Sequence, residues 1–153
     1  MNFIFISPQF PHTYWNFCSR LKRNGVNVLA IGDTPYDALS SQLKESITEY
    51  YRVNNMESYD EMYRAVAFFA FKYGRIDWLE SNNEYWLEQD AKLRTDFNIT
   101  TGVDSKGIKK YKSKYEMKKY YIKAGVSVAR IHKVSDLKKA KKFIDEIGGY
   151  PII

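Results

Sequence analysis

The sequence predicts an α/β chain in which residues 1–103 form a doubly wound parallel sheet and residues 104–153 open a second, α+β segment. Three observations predict it. Apolar runs without helical period recur as strands would. The segments between them carry apolar residues at helical spacing. The charge balance also changes sign near Asp104. Residues 1–103 hold 10 Lys and Arg against 13 Asp and Glu, a net of −3, whereas residues 104–153 hold 14 against 5, a net of +9. Two regions with different roles are expected.

Asn2 to Ile6 is a continuous apolar run after its first residue, as expected of a strand buried on both faces in a parallel sheet. It ends at Ser7-Pro8. Tyr14, Phe17, Cys18 and Leu21 are spaced i, i+3, i+4, i+7 and predict a helix, closed by Asn24-Gly25. Val26 to Ile31 repeats the buried-strand pattern, so the first thirty or so residues read as a βαβ unit. Ile47 to Val53 predicts a third strand. Ser58-Tyr59-Asp60-Glu61 is an S-x-x-E capping box opening a helix whose core face is Met62, Val66, Phe69 and Tyr73, with Gly74 at its end. Ile76 to Leu79 predicts the fourth strand, and Asn83 is placed to cap a helix bearing Leu87, Ala91 and Leu93.

Beyond Gly102 the chain turns lysine-rich. Ser113-Lys114-Tyr115-Glu116 is a second capping box, its helix stopping at Gly125. A strand is expected over Val126 to Ile131. Ser135 or Asp136 then caps a helix with Leu137, Ala140, Ile144 and Ile147 on one face, ended by Gly148-Gly149. Tyr150 to Ile153 reads as the start of a buried strand. Because such an edge would be left unpaired, a truncated domain is expected.

Several function classes are disfavoured. With one cysteine, Cys18, there is no internal disulfide. No secretory signal opens the chain, and no apolar run reaches the ~18 residues of a membrane span, so a cytoplasmic protein is expected. The only other candidate soft ligands are His12 and His132, which argues against zinc and against Cys or His nucleophile chemistry. The loop after the first strand lacks G-x-G-x-x-G, which disfavours a dinucleotide-dependent dehydrogenase.

Open α/β sheets bind ligands at the carboxyl ends of their strands. After strand one, Ser7 and Gln9 offer hydrogen-bonding groups, with His12 nearby at a helix start; ordinary turn chemistry is the other reading. After strand four, Glu80, Asn83 and Glu84 present carboxylates and an amide able to hold an amine or hydroxyl, although capping accounts for Asn83 equally well. Among the lysines, Lys138, Lys139, Lys141 and Lys142 alternate with an apolar stripe and read as a solvated helix face. Lys114 differs: a cation in the first turn of a capped helix is disfavoured by the dipole, which suggests a phosphate ligand or a solvated lysine. Tyr111, Tyr115, Tyr120 and Tyr121 lie among these lysines and keep open a second reading, a non-catalytic module binding a polyanion or nucleic acid.

The ordered segments resemble the ATP-grasp superfamily, specifically proteins of the carbamoyl phosphate synthetase large-subunit-like kind. The residues carrying the resemblance are Ile6-Ser7-Pro8 with Phe10-Pro11, Leu29 to Asp33, and Glu80 to Glu84 with Leu93-Arg94 and Phe97. They continue with Ser113 to Lys118, Ala124 to Ala129, and Gly149 to Ile153. The resemblance implies a Rossmann-like pre-ATP-grasp domain over 1–103 and the opening of an ATP-grasp subdomain over 104–153. It implies a parent ligase that uses ATP and Mg2+ to activate a carboxylate as an acyl phosphate, which an amine then displaces. Lys114 matches a nucleotide-phosphate lysine, while the catalytic residues, the rest of the ATP site and the magnesium carboxylates are expected beyond Ile153. On this view the fragment alone holds no tightly bound cofactor and is inactive. Its partners would be small carboxylates and amines, with no membrane or nucleic acid, and a homodimer is conceivable through unpaired strand edges.

Overall fold

The computed structural model describes residues 1–150 and divides into two compact units, residues 1–108 and residues from Lys109 onward. Of the strand expected over Tyr150–Ile153, residues 151–153 lie outside the described residues.

The first unit is built on four parallel strands: β1 (Asn2–Ile6), β2 (Asn27–Gly32), β3 (Glu49–Arg52) and β4 (Trp78–Glu80), in the order β3-β2-β1-β4. Alternate side chains go to opposite faces, and helices cover both. Ile4, Ile6, Leu29 and Ile31 pack with Met62, Val66, Phe69 and Leu93, from α3 (Tyr59–Tyr73) and α4 (Leu87–Asp96). Phe3, Phe5, Val28 and Ala30 pack on the other face with Cys18 and Leu43, from α1 (Trp15–Arg23) and α2 (Ser41–Ser46). Each fully buried large side chain contributes about 1.5–3 kcal/mol relative to exposure. The sheet is therefore doubly wound, as the apolar runs predict. β1→β2→β3 steps one way and β3→β4 returns to the other side of β1, which puts the switch of strand order between β1 and β4.

In this unit the helix ends follow the expected residues with two corrections. Ser58 caps α3 by accepting from the Glu61 amide, but Glu61 does not complete a reciprocal box. Its Oε2 accepts from the amides of Asn54 at 2.6 Å and Asn55 at 3.3 Å, while the Ser58 amide is taken by the Asn55 carbonyl. The carboxylate thus organises the loop after β3. Asn83 does not cap α4: its Oδ1 accepts from the Tyr85 amide and its carbonyl from the Trp86 amide, so one turn intervenes before Leu87. Finally, α2 interrupts the stretch before β3, capped by Ser40, whose side chain accepts from Leu43.

The second unit, from Lys109, contains α5 (Lys109–Lys112), α6 (Lys114–Lys123) and α7 (Leu137–Glu146). Ser113 caps α6, but Glu116 pairs with Lys119 at 2.7 Å rather than reaching back, and the Ser113 amide is held by the Lys109 carbonyl. Asp136 caps α7, its Oδ1 accepting from the Lys139 amide at 2.8 Å. The expected strand over residues 126–131 does not form. A strand exists only through a paired neighbour, and no strand occurs among the described residues of this unit. On α7 the inward stripe is Ala140, Phe143, Ile144 and Ile147; Leu137, the first helical residue, is 69% exposed. Lys138, Lys139, Lys141 and Lys142 are exposed, as a solvated face requires. Among the described residues no helix is long and apolar enough to cross a membrane.

Candidate functional site

At the carboxyl edge of the sheet, the two strands that flank the switch point leave it in the same way. Phe5 of β1 pairs with Glu80 of β4, and two residues beyond each the backbone turns left-handed, at Ser7 (φ 56°) and Asn82 (φ 52°). Left-handed backbone is uncommon for residues other than glycine and occurs where surrounding contacts hold it. Here the Ser7 amide donates to the Ile31 carbonyl at 2.8 Å and the Tyr14 hydroxyl donates to the Asn82 carbonyl. Tyr14, just ahead of α1, thereby links the β1 loop to the β4 loop. Burial, followed by the nearby Glu80 charge, raises its phenol pKa above the usual value.

The β4 loop rests on a buried polar cluster that sequence reasoning missed. Asp90 of α4 is fully buried and accepts from Ser81 twice, from the hydroxyl at 2.6 Å and from the amide at 3.1 Å. Its Oδ1 has no hydrogen-bond partner. Burial pushes the Asp90 carboxyl up to about 7, with Glu80 adding to the rise, against the Ser81 bonds and the Arg94 charge. Arg94, one turn later, is 2% exposed. Its guanidinium donates to the Leu79 carbonyl at 2.8 Å, the Val103 carbonyl at 2.9 Å and Glu80 Oε2 at 3.3 Å. The signal available in the sequence was the i, i+4 spacing of Asp90 and Arg94 on a helix whose apolar residues are few.

The expected site residues now have definite places. Ser7 is buried, its backbone forming the turn out of β1. Gln9 donates from Nε2 to Asp33 Oδ1 at 3.0 Å, which joins the β1 and β2 loops. Its Oε1 is enclosed without a donor and sits over Gly32, where a β-carbon would come within 2.6 Å of it. Glu80 is engaged by Arg94 and by the amides of Ser81 at 3.2 Å and Asn82 at 3.4 Å. Asn83 closes the turn described above, and Glu84 stands exposed beside it. The β3 loop joins in through Glu57, which accepts from the Tyr85 hydroxyl. Loop-to-loop bonds therefore join Gln9 to Asp33 and Tyr14 to Asn82, while within the β4 loop Glu80 holds the Asn82 amide, all on one edge of one sheet. A pocket of about 120 Å³ opens beside it, lined by Gln9, His12, Trp15, Thr34 and Leu39 among others. Lys114 is exposed at the first position of α6, in the second unit.

The groups that rim this edge are amides and carboxylates, Gln9, Asp33, Asn82, Asn83 and Glu84, a set suited to ligands that donate hydrogen bonds, such as amines and hydroxyls. No group of three or more His, Cys, Asp or Glu side chains able to hold a metal occurs among the described residues.

Solved structures share this architecture. The chain matches the biotin carboxylase domain of a single-chain bacterial carboxylase with a TM-score of 0.68 at 16% identity, over 99% of this chain and 35% of that one. It matches the L-amino acid ligase from Bacillus licheniformis with a TM-score of 0.61 at 12% identity, over 97% of this chain and 42% of that one. The fold is of the ATP-grasp type. A third match, the biotin carboxylase subunit of pyruvate carboxylase, has a TM-score of 0.60 at 23% identity and covers 98% of this chain and 34% of that one. The chain thus spans between about a third and about two-fifths of the ATP-grasp structures it resembles. No protein-family model and no curated protein sequence matches it.

Proposed function

We propose that this chain is the front part of an ATP-dependent carboxylate–amine ligase that works through an acyl phosphate, and that its first unit presents the acceptor substrate at the carboxyl edge of the sheet. The observation that carries the reading is the coincidence of an ATP-grasp-type fold with an amide- and carboxylate-rimmed edge at the strand switch point. Similar structures bear the names of an amino acid ligase and of biotin carboxylases. In this reading Ser7, Gln9, Glu80, Asn83 and Glu84 shape the acceptor site. Glu80 and Ser7 do so through the backbone they fix, Gln9, Asn83 and Glu84 through their own polar atoms. Lys114 meets the nucleotide phosphates of Mg2+-ATP, where a cation offsets charge on the transferred group. The chain alone lacks the complete ATP site and turns nothing over. The setting is the cytoplasm.

A polyanion-binding role fits the +9 segment less well. Two of its tyrosine rings are already covered by lysines, with Lys110 5.1 Å from Tyr111 and Lys119 4.7 Å from Tyr115, so those faces are not free to stack on bases. The test of the ligase reading is ADP release by the full-length protein with Mg2+-ATP across a panel of carboxylates and amines. Release that depends on both substrates supports it. Background rates throughout the panel, with salt-dependent retention on a polyanion instead, would replace it with the binding-module reading.

A further inference from the structure

Beyond Gly32 the chain runs through Pro35 and one helical turn, Tyr36–Ala38, into α2, and bonds from other residues fix it along the way. Gln9 Nε2 donates to Asp33 Oδ1 at 3.0 Å, Arg52 Nε to the Asp33 carbonyl at 3.2 Å, the Tyr50 hydroxyl to the Thr34 carbonyl at 2.7 Å, and Lys44 Nζ to the Asp37 carbonyl at 3.0 Å. The β2 loop is thereby a held wall, and the pocket of about 120 Å³ lies between it and the β1 loop. A preformed wall gives up little conformational freedom when a ligand arrives, which favours binding.

The lining selects the occupant. Leu39 and Leu43, 5% and 2% exposed, belong to the core layer that α1 and α2 pack on the sheet, so the pocket is a notch in that layer. Trp15 and Ala38 add to the apolar lining. Among the described residues that line it, none is Asp, Glu, Lys or Arg. A charged group entering it would be desolvated without a partner, whereas an aliphatic group displaces water that leucine side chains cannot hydrogen-bond. Size then limits that group. At ~30 Å³ for each water, 120 Å³ is room for roughly four, well short of the ~300–1,000 Å³ of a pocket that encloses a whole ligand. Given the acceptor reading of the sheet edge, on which this rests, we infer that the pocket is a specificity subsite for the acceptor. It takes the compact, uncharged aliphatic substituent of a small amine, of isopropyl or isobutyl size, and excludes one as large as an indole ring.

Binding to the 153-residue chain tests this without turnover. Isobutylamine is added to nitrogen-15-labelled protein from roughly 0.5 to 50 mM, a range suited to a fragment of about five heavy atoms, and the three tryptophan indoles are read by nuclear magnetic resonance. The Trp15 indole should shift saturably while those of Trp78 and Trp86 do not. Tryptamine, with the same ammonium on a larger ring, should bind there at least about tenfold more weakly. Ala38→Phe fills the pocket from an exposed position and should abolish the isobutylamine shift with circular dichroism unchanged. In the full-length protein, ADP release with Mg2+-ATP should favour compact aliphatic amines over tryptamine by about tenfold or more in kcat/KM, and Ala38→Phe should erase that preference. The subsite is overturned if Trp15 shifts no more than the other two indoles, if isobutylamine and tryptamine bind alike, or if Ala38→Phe leaves the shift intact. A Trp15 shift blocked by Ala38→Phe, with no ADP release from any amine, would keep the subsite and remove the ligase reading. ADP release indifferent to amine size and to Ala38→Phe would do the reverse.

Discussion

The Ser81 hydroxyl donates to Oδ2 of Asp90 at 2.6 Å, and the Ser81 amide donates to the same oxygen, so a single buried carboxyl fixes the first residue after β4. The loop that follows carries Asn82, Asn83 and Glu84, and its position therefore depends on an ionisable group sealed from water. The charged groups facing it are Glu80, which disfavours its ionisation, and Arg94, which favours it.

This arrangement makes stability pH-dependent. The Asp90 carboxyl is raised from 3.8 to about 7, chiefly by burial, so between those values the folded chain keeps a proton that the unfolded chain has released. Its stabilising contribution is fully present below the unfolded value and is lost as pH rises through the folded one, at up to about 1.4 kcal/mol per pH unit in between. Urea unfolding midpoints measured from pH 4.5 to 7.5 should fall with rising pH, after the other titrating groups are accounted for through Asp90→Asn. That variant should lose the Asp90 part of the slope. It should also be less stable by about 1–3 kcal/mol at low pH, because its amide N–H groups have no acceptor where Oδ1 has no partner. Parallel pH profiles for the two proteins would remove Asp90 from this role.

Arg94 supports the same loop from the other side. Its guanidinium satisfies two backbone carbonyls and Glu80 from a nearly inaccessible position, and Gly102, at φ 85°, leaves room where a β-carbon would come within 3.2 Å of it. Arg94→Met removes the charge but leaves Glu80 and both carbonyls uncompensated, a loss of about 3–5 kcal/mol. Gly102→Ala meets both the left-handed backbone and the arginine, and should cost about 1–2 kcal/mol. Thermal unfolding of the two variants should rank them in that order, and a Gly102→Ala protein as stable as wild type would show that the backbone relaxes there without strain.

The sheet and its two helical layers were legible because β1, β2, α1 and α3 state their burial in apolar spacing alone. Helix α2 was not, since only Leu43 marks it as amphipathic and Ser40 lacks a glutamate three residues on to complete a box. The strand expected over residues 126–131 shows the converse limit: a run can have strand composition, but pairing is decided by neighbours distant in sequence. The candidate edge was half legible. Gln9, Glu80 and Asn83 stand out as polar residues at strand ends, whereas Asp90 and Arg94 look like any exposed pair on a helix. Their burial follows from where α4 lies against β4, a tertiary fact with no local signature.

Gly32 has a specific consequence for Gln9. A β-carbon there would lie 2.6 Å from Gln9 Oε1 and 2.7 Å from the Tyr50 hydroxyl, both closer than real contacts allow. Gly32→Ala should therefore displace the Gln9 side chain from Asp33 at a cost of about 1–3 kcal/mol. In nuclear magnetic resonance spectra the Gln9 side-chain amide should shift markedly while residues on α7 do not. In the full-length protein the same change should raise the acceptor KM more than it lowers kcat, because it disturbs positioning at the edge. An unshifted Gln9 amide would mean that Tyr50 alone yields to the added methyl group.

Lys114 separates the ligase reading from a merely basic surface. The residue is exposed at the first position of α6, so Lys114→Met should leave the fold and its unfolding midpoint unchanged within about 0.5 kcal/mol. If Lys114 meets nucleotide phosphate in the full-length protein, its loss removes a cation from the charge that develops on the transferred group. ADP release should then fall by about 10²- to 10³-fold in kcat/KM for ATP. Lys138→Met, on the solvated face of α7, provides the control and should change it by less than about twofold. The contrast between the two variants carries the inference, because a general effect of net charge would lower both rates alike. Equal behaviour of Lys114→Met and Lys138→Met would assign Lys114 to the solvated surface and leave the nucleotide without a phosphate contact from this helix.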